Sequence, residues 1–138
     1  MQTTPKIGSS HETRFTVETS HSIEFSEHGI PAVLATPWLI WFLEHAALDL
    51  MKPYLDEGEL TVGVQVEMEH LAPAPLGSQV ACRARVVHVE GPLITFQIEA
   101  GDQQGPIAKG LHKRRVVRAE RIAAIVRKKM DGQFLSAR

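Results

Sequence analysis

The feature that most limits the fold is the apolar run at 38–43, Trp-Leu-Ile-Trp-Phe-Leu, set inside a helical stretch that opens at Thr36. Thr36 followed by Pro37 predicts a helix start, with Thr36 as the N-cap and proline where its missing N–H costs nothing. Lys52-Pro53 predicts the end, because the residue before a proline is disfavoured from helical geometry. A run that is apolar on every side must be wrapped by protein rather than laid on a surface. It is far shorter than the ~20 residues a membrane span needs, so the cover has to come from protein. Glu44 falls among Trp41, Phe42, Leu43, Ala46 and Ala47. A carboxylate there must be paired, hydrogen-bonded, partly wet or protonated, since burying the bare charge is expensive.

Strands supply the cover. Residues 13–19 alternate Phe15 and Val17 with polar neighbours and predict a first, half-buried strand. Residues 20–32 mix Ser, His, Gly and Pro with isolated apolar residues and predict a loop leading into the helix. After the helix, strands are expected over 61–71, 79–89, 93–100 and 107–117, with turn signals at 73–77, 90–92 and 101–106. Short connectors imply antiparallel neighbours. The expected fold class is therefore α+β, one long central helix wrapped by a curved antiparallel sheet. The 138 residues suffice for a single domain with its own core. Residues 1–10 are expected to fray, and residues 119–138 to form a tail or short helix.

Alternation in the second strand places chemistry. Val62, Val64, Val66 and Met68 fall on one face and Gly63, Gln65, Glu67 and Glu69 on the other, which aims His70 at the side the helix packs on. A core histidine bonded to a carbonyl is one role for it. A titratable partner for Glu44 is another, and two such groups facing a cleft are candidate acid–base machinery.

Other chemistries lack their signatures. The seven histidines show no paired ligand spacing, and neither H-E-x-x-H nor C-x-x-C occurs, so no metal is expected. No phosphate-binding glycine loop is present. The lone Cys82 suits a reducing cytoplasm, and no signal-like segment opens the sequence. Charge is uneven: residues 1–70 carry eleven Asp/Glu against three Lys/Arg, and residues 71–138 five against twelve. The basic residues between Lys109 and Lys129 can complement an acidic surface or meet ligand phosphates. Nucleic acid is disfavoured, because no stacking aromatics accompany them.

Several short patterns together resemble the fluoroacetyl-CoA thioesterase group of the hotdog-fold acyl-CoA thioesterases. They are Ala35-Thr36 at the helix start, Glu44 eight residues on, Pro53-Tyr54-Leu55-Asp56-Glu57-Gly58-Glu59 after the helix, and Gly63 seven residues before His70. His70-Leu71-Ala72 with Pro75 and Gly77, and Gly110-Leu111-His112-Lys113-Arg114, complete the set. The resemblance implies a hotdog fold, with active sites at the interface of a homodimer or dimer of dimers. It implies a catalytic Thr36, Glu44 and His70. It further implies that Gly63 lies against the substrate, that Arg114 sits near the acyl group, and that His112 belongs to the same site. Where the group carries a bulky aromatic lid residue this chain has Ile30, a departure that argues against strict fluoroacetate specificity.

The expected function is metal-independent, cofactor-free hydrolysis of a small acyl-CoA, with coenzyme A as part of the substrate and neither nucleic acid nor membrane as partner. A non-catalytic acyl-CoA or small-ligand binding protein of the same fold is the alternative. In the enzyme, a thioester carbonyl aimed at the helix N-terminus would meet backbone N–H donors and the positive dipole end. Thr36 would be nucleophile or positioning group, His70 the proton carrier, and Glu44 orienter, base or nucleophile. Arg83, Arg85 and residues 113–118 are the candidates for the coenzyme A phosphates.

Overall fold

The computed structural model describes residues 1–132, so the last six residues of the expected tail lie outside the described residues. In chain order the elements are β1 (Ser10–Thr16), β2 (Ser22–Phe25), β3 (Ile30–Leu34), α1 (Thr36–Met51), β4 (Glu59–His70), β5 (Gln79–Glu90), β6 (Leu93–Asp102), β7 (Gly105–Arg118) and α2 (Ala119–Met130). Five strands form one antiparallel sheet in the order β1-β5-β6-β7-β4, which leaves β1 and β4 as its edges. No described helix is long and apolar enough to cross a membrane.

Helix α1 packs on the concave face of this sheet, mainly over β5 and β1. Its buried residues, Leu39, Leu43, Ala46, Ala47, Leu50 and Met51, follow helical spacing. They meet the alternate inward residues Val80, Cys82, Ala84 and Val86 of β5 and Ile94, Phe96 and Ile98 of β6, all at 0–1 % exposure. The expectation that the apolar run is wrapped on every side is corrected: Trp38 and Trp41 remain 37 % and 44 % exposed. One chain covers one flank of α1 and leaves the other open.

The expected strand over 13–19 lies instead at residues 10–16, paired with β5 through Phe15 opposite Val80. The expected loop at 20–32 folds into the hairpin β2–β3, with Ile23 opposite Val33 and Phe25 opposite Ile30. Gly29, at φ 72°, closes its turn in the left-handed region that glycine adopts without strain. The opening residues, expected to fray, make long-range contacts in the structure. The Met1 ammonium lies 2.9 Å from Asp56 and 2.6 Å from Glu59, and Gly8 and Ser9 bond to the Val86 backbone. Such contacts join residues more than fifty positions apart, so no local pattern announces them.

Strand β4 carries the most consequential departure. A bulge between Gly63 and Gln65 shifts its register against β7, and one extra residue reverses which face each side chain takes. Val66 and Met68 pack on the core as alternation predicts. Before the bulge the phase is reversed: Thr61 is buried at 7 %, and Val64, expected inward, is 47 % exposed.

Candidate active site

The expected residues separate into two groups on the same side of the sheet. The first lies at the start of α1. The N-cap is Ala35, not Thr36, and no side chain caps the helix. The Thr36 hydroxyl is therefore free for another partner, and Oγ1 lies 2.8 Å from Nδ1 of His70. The other ring nitrogen, Nε2, is buried without a hydrogen-bond partner. Pro37 has no N–H to offer, and the amides of Trp38 and Leu39 both donate to the Ala35 carbonyl at 3.1 Å. The expected group of free donors thus shrinks to the Thr36 amide, beside the hydroxyl.

A cleft of about 470 Å³ opens on this pair, lined by Ile23, Phe25, Val33, Leu34, Ala35, Thr36, Pro37, His70, Leu71, Ala72 and Pro73. Its wall is apolar apart from the Thr36–His70 pair, the mix of apolar lining and few convergent polar groups that marks a ligand pocket. Ile30, the expected lid residue, is 47 % exposed and is not part of this wall. Phe25, its neighbour across the hairpin, is. Phe25 and Leu71 were missed from sequence; only the hairpin register, with its alternation of Ile23 and Phe25, could have pointed to the former.

The second group lies two turns further along α1. The expected Glu44–His70 pair does not form within the chain. Glu44 Oε2 instead accepts from Arg114 Nη1 at 3.2 Å, with His112 Nε2 3.9 Å away. Eight helical residues separate Thr36 from Glu44, about 12 Å of axial rise, so the carboxylate cannot reach His70 along its own helix. Gly63 explains the fit, since a Cβ there would stand 2.5 Å from Glu44 Oε2. Only the bare backbone of glycine leaves room for that carboxylate.

Arg114 is 5 % exposed, and its contacts are with protein. Nε donates to Thr61 Oγ1 and Nη2 to the Thr61 carbonyl, both at 2.9 Å. Burial pulls its pKa down and Glu44 opposes that shift; a guanidinium keeps its charge through the physiological range. His112 is 1 % exposed, and burial pushes its pKa below the ordinary histidine value, the neighbouring Arg114 charge adding to the effect.

Several other polar residues have partners within the chain. His45 bonds to the Trp41 carbonyl and stacks on the Trp41 ring. Among the candidates for coenzyme A phosphates, Arg83 is paired with Glu12 and Glu99, Arg85 with Gln97, and Arg118 with Glu120. Among the described residues, no group of three or more His, Cys, Asp or Glu is placed to hold a metal ion.

Known proteins resemble this chain. Residues 6–120 match the family described as FlK: Fluoroacetyl-CoA-specific thioesterase. A fluoroacetyl-CoA thioesterase from Streptantibioticus cattleyicolor is 35 % identical over 108 residues, 78 % of this chain and 76 % of the relative. The solved structure of the fluoroacetyl-CoA thioesterase FlK superposes with a TM-score of 0.84 at 28 % identity, covering 92 % of this chain and 98 % of that one. A hot-dog-like protein from Thermanaerovibrio acidaminovorans superposes at 0.81 and 28 % identity, covering 89 % and 91 %. One long helix on an antiparallel sheet, together with these likenesses, defines a hotdog-fold thioesterase. Within that class, the chain belongs to the fluoroacetyl-CoA thioesterase family.

Proposed function

We propose that this enzyme hydrolyses small acyl-CoA thioesters in the cytoplasm, without metal or cofactor, at a site built from two copies of the chain. The observation that carries the chemistry is the 2.8 Å contact between Thr36 Oγ1 and His70 Nδ1 at the floor of an apolar cleft. With the proton on Nε2, Nδ1 accepts the Thr36 proton as the hydroxyl oxygen, or a water in its place, attacks the thioester carbonyl. The developing oxyanion is met by the Thr36 amide at the positive end of α1. The C–S bond then breaks, and the thiolate leaves with the proton that His70 carries; where Thr36 was the nucleophile, a water that gives its proton to Nδ1 next attacks the Thr36 ester, and the acid leaves as the hydroxyl takes that proton back. The lone, buried Cys82 thiol supports a reducing compartment.

Three observations support assembly from two copies. Strand β4 is a long free edge, of the kind that proteins cover or pair. Trp38 and Trp41 leave an open apolar flank on α1. His70 Nε2 is buried without a partner inside one chain. Pairing β4 antiparallel with its own copy would set the Gly63 end of one strand beside the His70 end of the other. Glu44 of one chain would thereby approach the Thr36–His70 pair of its neighbour, where a carboxylate is needed to orient the imidazole or a water.

Phe25 and Ile23 bound the acyl side of the cleft, and Ile30 stands outside it. A less tightly closed pocket accepts acetyl and other short acyl groups alongside fluoroacetyl. Thiol release from a panel of short, branched and aryl acyl-CoAs tests this, with and without a chelator. The expected result is turnover of several short acyl-CoAs, unaffected by the chelator. Turnover of fluoroacetyl-CoA alone, loss on chelation, or no turnover of any member would contradict it.

A further inference from the structure

The Glu44–Arg114 contact is itself supported, by Thr61 and His112. His112 Nδ1 lies 2.8 Å from the Gln65 carbonyl. A carbonyl only accepts, so Nδ1 carries the proton, and in the neutral ring Nε2 is a bare acceptor. That acceptor faces Arg114 Nη1 at 3.2 Å. Thr61 takes the other edge of the guanidinium through Oγ1 and its carbonyl. Arg114 is thus gripped on both edges, and the second hydrogen of Nη1 is left for Glu44.

We propose that Thr61 and His112 are positioning residues, a buried clamp that fixes Arg114 so that it holds the Glu44 carboxylate in place by one oxygen and leaves the other for the reacting groups. Arg114 acts in this arrangement on Glu44. The bulge in β4 is what makes the clamp possible, because it turns Thr61 and Gly63 inward while leaving the inward phase of Val66, Met68 and His70 intact. A straight strand would present Val62 and Val64 in their place, with no acceptor for the guanidinium. The imidazole has to stay neutral: a proton on Nε2 would set two donors against each other across 3.2 Å.

The clamp rests on Glu44 taking part in turnover, and Glu44→Gln checks that separately. His112→Leu removes the acceptor, His112→Gln restores one acceptor and one donor in similar places, and Thr61→Val and Thr61→Ser do the same for the hydroxyl. With the fold verified by circular dichroism, H112L is expected to lower kcat about tenfold or more with KM little changed, the mark of an interaction that acts in the transition state. H112Q is expected to recover much of that loss, and T61S more of the smaller T61V loss. Nitrogen NMR of wild-type His112 should show a protonated Nδ1 and a bare Nε2 across the active pH range. Full-rate H112L and T61V beside a slow E44Q would overturn the clamp alone. A full-rate E44Q would overturn the clamp and the role of Glu44 together. An Nε2-protonated or doubly protonated His112 at neutral pH would overturn the clamp whatever the variants do.

Discussion

Thr36 Oγ1 and His70 Nδ1 lie 2.8 Å apart although thirty-four positions separate them in the chain. The pairing exists because Ala35 takes the N-cap position and leaves the Thr36 hydroxyl uncommitted. Hydrolysis should therefore depend on the hydroxyl itself. Thr36→Ala and His70→Ala are each expected to lower kcat by about 10²–10⁴, the range for losing a positioned proton carrier or its partner, while Thr36→Ser keeps measurable turnover. Steady-state thiol release measures both, and T36A at the wild-type rate would reduce Thr36 to a structural residue.

Gly63 gives a second expectation. A methyl group there would stand 2.5 Å from Glu44 Oε2 and 3.4 Å from Arg114 Nη1. Gly63→Ala must displace the carboxylate, so kcat should fall with little change in the unfolding midpoint, because the glycine itself is exposed and buries no apolar surface. A variant with unchanged kcat would show that the position of Glu44 does not matter for turnover.

His112 makes stability depend on pH with a definite sign. Its pKa is lowered from 6.5 in the folded chain, chiefly by burial. Above 6.5 the ring is neutral whether folded or unfolded, and its contribution is intact. As pH falls through 6.5 toward the lower folded value, the unfolded chain takes up the proton first, and stability drops by at most about 1.4 kcal/mol per pH unit from this group. Urea midpoints of wild type and His112→Gln at pH 8, 6 and 5 should show the wild-type advantage shrinking with acid. A difference that stays constant across the three would exclude His112 as the source.

Cys82 is fully buried, and burial pushes its thiol pKa up to about 12. The thiolate is the reactive form, so the native enzyme should resist a thiol reagent at pH 8 for as long as it stays folded and react fully in denaturant. Fast labelling of the native enzyme would mean that the β5 region opens readily.

The fold was legible where the signal was local and periodic. The apolar run on α1, the four strands after it and the antiparallel neighbours β5, β6 and β7 follow from spacing and turn residues; the turn at 73–77 does not make β4 and β5 neighbours, because β4 lies beside β7 at the sheet edge. For the site, the resemblance supplied the inventory of Thr36, Glu44, Gly63, His70, His112 and Arg114, whereas period-two counting put Gly63 on the face away from His70. Their pairing was not legible. A single bulge at Val64 inverts half of β4, and period-two counting cannot register one inserted residue. That inversion brings in Thr61, which no pattern singles out. The cap shifted by one residue because Ala35 already has the extended geometry an N-cap needs, at φ −77° and ψ 139°. Phe25 was hidden because a hairpin with mixed polar residues looks like a loop until its register is known.

Assembly across two chains is tested most directly by mixing two dead variants. In a chain with Thr36→Ala and His70→Ala, Glu44 is intact; in a chain with Glu44→Gln, Thr36 and His70 are intact. If Glu44 serves the neighbouring chain, each mixed dimer regains one working site, and random mixing should restore about a quarter of wild-type activity. If Glu44 serves its own chain, every site in the mixture carries a defect. Thiol release that stays at the level of the separate variants, with mixed dimers verified by mass spectrometry, would contradict the two-chain site.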